Sequence, residues 1–272
     1  MALGRDGGLI AAFLAGIALL CGETLALAGG AASEQDRQVC GGDEIARGTV
    51  GKILDGRTFM LDDGREVRLA AIEVEPQDRA DPIGRPAAAA LSALAAGDQV
   101  VLRRAESGLD RYGRLLAYAY TLRDGDEFLL QEELVAEGFA RVGSRIASSC
   151  AGDLLGREEA KLGLWADPYY EVLDAETPRD PPAHRGRFAL VEGKVASVRE
   201  SGPTIYVNFG RRRVGDITVT ILKRNERSFA AAGLDLRSLA GRRIRVRGWI
   251  EARGGDRAWI EAERPEQVER AD

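Results

Sequence analysis

Guanidinium and aromatic groups share one face of a short stretch near the carboxyl end of the sequence. Over residues 243–250, Arg243, Arg245, Arg247 and Trp249 fall on one side of an alternating pattern, and Ile244, Val246, Gly248 and Ile250 on the other. Arginines beside an indole suit a nucleic-acid backbone with a stacked base. Tyr206 and Arg211 to Arg213 would extend that surface. A solvated outer strand face with Trp249 packed under a loop has the same pattern, so both readings stand. Binding there should weaken steeply as salt rises. The remaining chemistry is sparse: one histidine and three cysteines. His-rich metal sites, Ser-His-Asp triads and zinc ribbons need more than this, or need it better placed. His184, in the stretch RDPPAHRG, reads as a solvated linker residue.

The elements that must position these residues follow from composition and periodicity. The 272 residues are 45% apolar and 30% charged, an ordinary globular balance without serial membrane spans. Residues 1–28 read as an export signal: Arg5, an apolar run from Leu9 to Leu20, and small residues ending at Ala26-Leu27-Ala28. An uncleaved anchor is the alternative; Glu23 in the run argues against it. The chain is therefore expected to be exported, periplasmic or secreted, with no membrane span after cleavage. Cleavage would remove Cys21 and leave Cys40 and Cys150 in an oxidising compartment, where a disulfide is expected. Two free buried thiols are the alternative. After an N-terminal segment, 29–46, charge divides the rest. Residues 29–184 carry 18 basic and 29 acidic side chains, whereas 185–272 carry 19 and 12. Between them lies a Pro-rich linker, 174–186. Residues 47–173 read as strands followed by helices, an α+β domain on a small barrel. Its alanine-rich helix opens near Pro86 and closes at Gly97, and Leu130, Leu134, Val135 and Phe139 form a stripe on a second. Residues 187–272 read as β-β-β-α-β-β, a second, mostly-β five-stranded OB-like barrel, with Asn225 capping its helix.

Five pieces occur in fixed order: ILDGRTFML, REVRLAAIEVEP, DRYGRLLAYAYT, LLQEELVAEGFARV and EEAKLGLW. In order and spacing they resemble the staphylococcal nuclease (thermonuclease) family, over about residues 47–168. The resemblance implies an OB-type barrel with packed helices, and cleavage of DNA and RNA phosphodiesters with one calcium ion. Carboxylates would hold the ion, two arginines would neutralise the phosphate, and a glutamate would deprotonate the attacking water. By resemblance, Arg68 and Arg114 are the phosphate clamps, Tyr112 belongs to the same site, and Glu73 is one metal carboxylate. Asp55 begins the motif that holds the other, but Arg57 stands at the ligand position itself. The general base falls on Pro76, with Glu75 one residue early. A cation at a calcium ligand repels the ion, and proline has no side-chain proton acceptor. Arg57 is therefore expected to pair with Glu73, giving a three-arginine pocket that binds phosphate without metal. Three functions compete. One is an exported protein of this family with a degraded catalytic site, binding single-stranded nucleic acid, nucleotides or other phosphate-bearing ligands and needing no cofactor. The second is a working phosphodiesterase, with Glu75 as base and calcium on Asp55 and Glu73. The third is an envelope scaffold binding protein or glycan.

Overall fold

A twelve-residue strand that bends twice organises the first barrel. The computed structural model describes residues 39–74, 84–158, 162–176, 184–210, 217–252 and 258–271. Strand β1 (Glu44–Asp55) pairs with β2 (Thr58–Leu61), which pairs with β3 (Glu66–Leu69). Register shifts at Val50/Lys52 and Ile53/Asp55 mark the bends. A two-residue strand, β4 (Ile72–Glu73), and helix α1 (Gly84–Ala95) follow. Strands β5 (Gln99–Leu109), β6 (Leu115–Arg123) and β7 (Asp126–Leu129) complete the sheet in the order β3-β2-β1-β5-β6-β7. A parallel pairing of β3 with β6, Val67 opposite Leu115 and Leu69 opposite Ala117, closes the barrel and leaves its strands no free edge there. Phe59, Leu61, Val67, Leu69, Val100 and Leu102 share its core.

Helices α2 (Leu130–Ala136) and α3 (Ser148–Glu158) pack beside the barrel, with β8 (Arg141–Val142) between them paired to β4. Leu130, Leu134 and Val135 are buried as the helical stripe requires, but α2 ends before Phe139. The stop is at Gly138, whose φ of +77° is the left-handed region. A Cβ there would lie 2.1 Å from the Leu162 carbonyl oxygen. That close backbone approach brings the segment after α3 against the end of α2.

The second domain is richer in strands than five. Strand β9 (Leu173–Asp174) joins β10 (Phe188–Lys194) in parallel. The expected first strand breaks after Lys194 into β10 and β11 (Ser197–Ser201). At the break Val195 bonds to Arg242 and Gly241, while Ala196 bonds to Asn208, so neighbouring residues serve different strands. Strands β12 (Thr204–Asn208), β13 (Ile217–Leu222), β14 (Arg243–Ala252), β15 (Ala258–Glu261) and β16 (Val268–Arg270) complete an eight-stranded sheet. Helix α4 (Glu226–Ala231) lies between β13 and β14. Asn225 precedes α4 but makes no side-chain cap bond, because a 3-10 turn at Lys223–Asn225 already puts its backbone in helical geometry.

Residues 38–272 form one compact unit. The export segment, Glu75, Pro76, Arg211 to Arg213 and most of the expected linker lie outside the described residues. No helix among the described residues is long and apolar enough to cross a membrane.

Candidate phosphate cleft

Four local structures bring the cationic residues together. The turn between β1 and β2 presents Arg57; β3 presents Arg68; the loop before β6 presents Arg111, Tyr112 and Arg114; β4 presents Glu73. Each has a local cause. Asp55 Oδ1 accepts the Arg57 backbone N–H at 2.8 Å, folding the β1–β2 turn. Gly56 lets α1 approach: a Cβ there would sit 2.6 Å from the Ala87 Cβ. Asp110 Oδ1 accepts N–H bonds from Tyr112 at 2.8 Å and Arg114 at 3.1 Å, and Gly113, at φ +80°, completes the loop. Ala71, at φ +63°, turns the chain from β3 into β4 and so aims Glu73.

Arg57 meets Glu73 as the sequence predicts. Arg57 Nη1 lies 2.6 Å from Glu73 Oε2 and donates to the Ile72 carbonyl at 2.5 Å. Burial pushes the Glu73 carboxyl above its ordinary range, against the opposing charges of Arg57 and Arg68. Arg68 donates to Thr58 Oγ1 at 3.1 Å and stands 4.0 Å from Asp55 Oδ2. Burial, and next the charges of Arg57 and Arg114, lower its affinity for its own proton. Arg114 is held by Asp110 through Nε at 2.7 Å and Nη2 at 2.6 Å. Burial raises the Asp110 carboxyl, but the hydrogen bonds from Arg114 and Tyr112 outweigh it and hold the group below its ordinary range. Arg111 donates to the Tyr112 hydroxyl at 2.6 Å, and the guanidiniums of Arg111 and Arg114 lie 4.7 and 5.0 Å from its ring centre.

Calcium needs six to eight oxygen ligands. Of the two carboxylates expected to hold it, Glu73 is bound by a guanidinium, and Asp55 accepts its own loop's N–H and faces Arg68. Among the described residues no group of three or more His, Cys, Asp or Glu side chains is placed to hold a metal ion. The described donors, so engaged, do not fit the ion.

The cleft has a volume of ≈ 680 Å³, and residues on the second sheet, Trp249, Glu251 and Glu261, and just beyond β15, Glu263 and Arg264, line it too. Of these the sequence singled out Trp249 alone; it missed Glu251, Glu261, Glu263 and Arg264, and Glu106 and Arg145 with them, because residues far apart in the chain carry no local signal of meeting. The expected arginine face of β14 is largely consumed by carboxylates. Arg247, 1% exposed, pairs with Glu158 at 2.9 Å and with Glu269, and donates to the Val142 carbonyl at 3.1 Å. It faces the first domain, so its expectation as an outward nucleic-acid contact is corrected. Arg245 pairs with Glu192 at 2.8 Å, and Arg243 with Glu176 at 3.0 Å. Tyr206 packs edge-on to Trp259 at 6.0 Å. Of that set Trp249 reaches the cleft, 45% exposed.

Cys40 and Cys150 meet. Both are buried free thiols that hydrogen-bond each other. Giving its S–H to Cys150, and its burial, raise the Cys40 thiol well above its ordinary value.

A family model described as staphylococcal nuclease homologue matches residues 66–167. The match contains Arg68, Glu73 and the Asp110–Arg114 loop; Asp55 and Arg57 precede it. No curated protein matches the chain.

Proposed function

From a staphylococcal nuclease homologue domain at residues 66–167, we propose a protein that binds phosphate groups between Arg57, Arg68 and Arg114 without a divalent ion, and cleaves phosphodiesters weakly or not at all. One observation carries this reading: the Arg57–Glu73 ion pair at 2.6 Å puts a fixed guanidinium on the carboxylate that the family resemblance assigns to the metal. Positive charge is thus supplied by the chain. The guanidinium fork matches phosphate oxygens in pairs of hydrogen bonds, and Arg68 is the group with most to gain, since an anion would relieve its repulsion by Arg57 and Arg114. These arginines supply one half of hydrolysis only. A fixed cation can steady charge building on phosphate, but it supplies no activated water. Pro76, at the position of the general base, offers no acceptor.

The ligands of this reading are single-stranded nucleic acid, nucleotides or other phosphate-bearing molecules, met outside the cytoplasm if residues 1–28 act as an export signal. The test is a digestion and binding pair: plasmid and RNA incubated with purified protein in calcium and in chelator, beside a salt-dependent gel shift. Retarded but uncut nucleic acid in both buffers is the expected result. Calcium-stimulated digestion that disappears in Arg68→Ala and Arg114→Ala would restore the hydrolase.

A further inference from the structure

The second domain also lines the cleft, and three of the residues it contributes are acidic. Glu251 on β14, Glu261 on β15 and Glu263 just beyond it bring three carboxylates to the cleft. The wall is clamped in place. Arg264 forms an ion pair with Glu106, Ser148 donates to Glu266, and Arg145 stands 3.9 Å from Glu263. The buried Arg247–Glu158 pair is a further link between the same two parts of the chain. A polynucleotide anchored by one phosphate at the arginines must carry further phosphates away from them, at one negative charge per nucleotide. Those running toward the second domain would approach like charge and be repelled. The volume, ≈ 680 Å³, falls within the roughly 300–1,000 Å³ of small-molecule sites.

Two aromatics meet the same space. Trp249 is 45% exposed, and a planar group laid on its indole would bury apolar surface; Tyr112, 66% exposed, already carries the Arg111 and Arg114 guanidiniums over its ring. Phe188 backs the Trp249 ring edge-on at 6.0 Å, so the indole is supported from one side and open on another.

Resting on the phosphate reading above, we infer that the second domain is the specificity wall of the cleft, which selects a small phosphomonoester carrying a planar ring, a nucleoside monophosphate in kind, over continuous polynucleotide. Phosphate docks at the arginines, the ring lies against Trp249, and the carboxylates reject the next phosphate of a longer chain.

The test is calorimetry on the full chain in chelator, with three probes: inorganic phosphate, adenosine monophosphate and a short oligoadenylate. Adenosine monophosphate should bind more tightly than phosphate, and oligoadenylate no more tightly than the monophosphate. Trp249→Leu should weaken adenosine monophosphate about tenfold, the scale of one lost ring stack, and weaken phosphate much less. Glu263→Lys, on the exposed rim, should strengthen oligoadenylate several-fold and carries the test if Trp249→Leu fails to fold. Phosphate binding with an unchanged monophosphate affinity in Trp249→Leu, or oligoadenylate binding tenfold more tightly than the monophosphate to the wild type, would overturn the inference and leave the phosphate site standing. No binding of phosphate at all would remove both.

Discussion

At the scale of single residues, function and stability pull apart in the cleft. Arg68 is half-buried beside two like charges, which Asp55, at 4.0 Å, and the Arg57-bound Glu73 offset in part. Replacing it should therefore relax the fold while removing the ligand, as at many sites where charge is held for binding. Arg68→Gln is expected to melt at the same temperature as the wild type or higher in phosphate-free buffer, and to lose the rise in Tm that phosphate confers. For the wild type that rise reflects about 2.7 kcal/mol at a phosphate concentration of about 100 Kd. Asp110 has the opposite sign. Its carboxyl is held below its unfolded value, so it stabilises the fold above the ordinary carboxylate range, and this contribution is lost as pH falls through its lowered folded value. Asp110→Asn should lower Tm at neutral pH, and the gap to the wild type should close as the buffer is taken below about pH 4. Arg57, Glu73 and Arg114 were legible in the sequence because a motif fixes their spacing. Ala71 was not: nothing about an alanine announces a positive φ.

At the scale of elements, patterns of period two and 3.6 located the long strands and the helices, since burial on one face writes that pattern directly, but not short strands such as β8, β9 and β16. The errors sit where partners lie elsewhere in the chain. Gly138 ends α2 before Phe139 because the backbone at Leu162 must approach it, and the first strand of the second domain breaks because Val195 and Ala196 bond to different elements. The Cys40–Cys150 pair ties the segment before β1 to α3 and touches the cleft through Tyr118, which bonds to Cys150 and whose hydroxyl accepts the Ala147 N–H at 3.0 Å. We propose that the pair closes to a disulfide in an oxidising compartment. The two thiols would lose two protons and two electrons to a disulfide-type oxidant, one S–S bond forming as the oxidant's breaks. The enclosed loop of about 110 residues gives roughly 4–5 kcal/mol on the chain-entropy model. Protein isolated without reductant and then denatured should show no titratable thiol at these positions, and reduction should lower its Tm. Two free thiols would remove the disulfide.

At the scale of the whole molecule, the two charge-contrasted halves fold against each other. Arg247 is the centre of that contact, and its proton is held more tightly than usual: burial opposes the charge, but Glu158 and Glu269 outweigh it. Alternation in β14 marked Arg247 as off the barrel core but could not distinguish solvent from a second domain. Arg247→Met should cost about 3–5 kcal/mol, because it strands the buried Glu158 carboxylate. Adding Glu158→Leu should recover much of that loss, and chemical denaturation read by tryptophan fluorescence would show both. A loss below 1 kcal/mol in Arg247→Met would mean the halves are held by other contacts.

Calorimetric titration of the wild type with inorganic phosphate, in chelator and again in calcium, measures whether arginine supplies the charge that a metal would otherwise bring. The expected result is one binding event of the same affinity in both buffers, weakened at least tenfold in Arg57→Ala and in Arg68→Ala. Binding that appears only when calcium is present, or that survives Arg57→Ala unchanged, would contradict it.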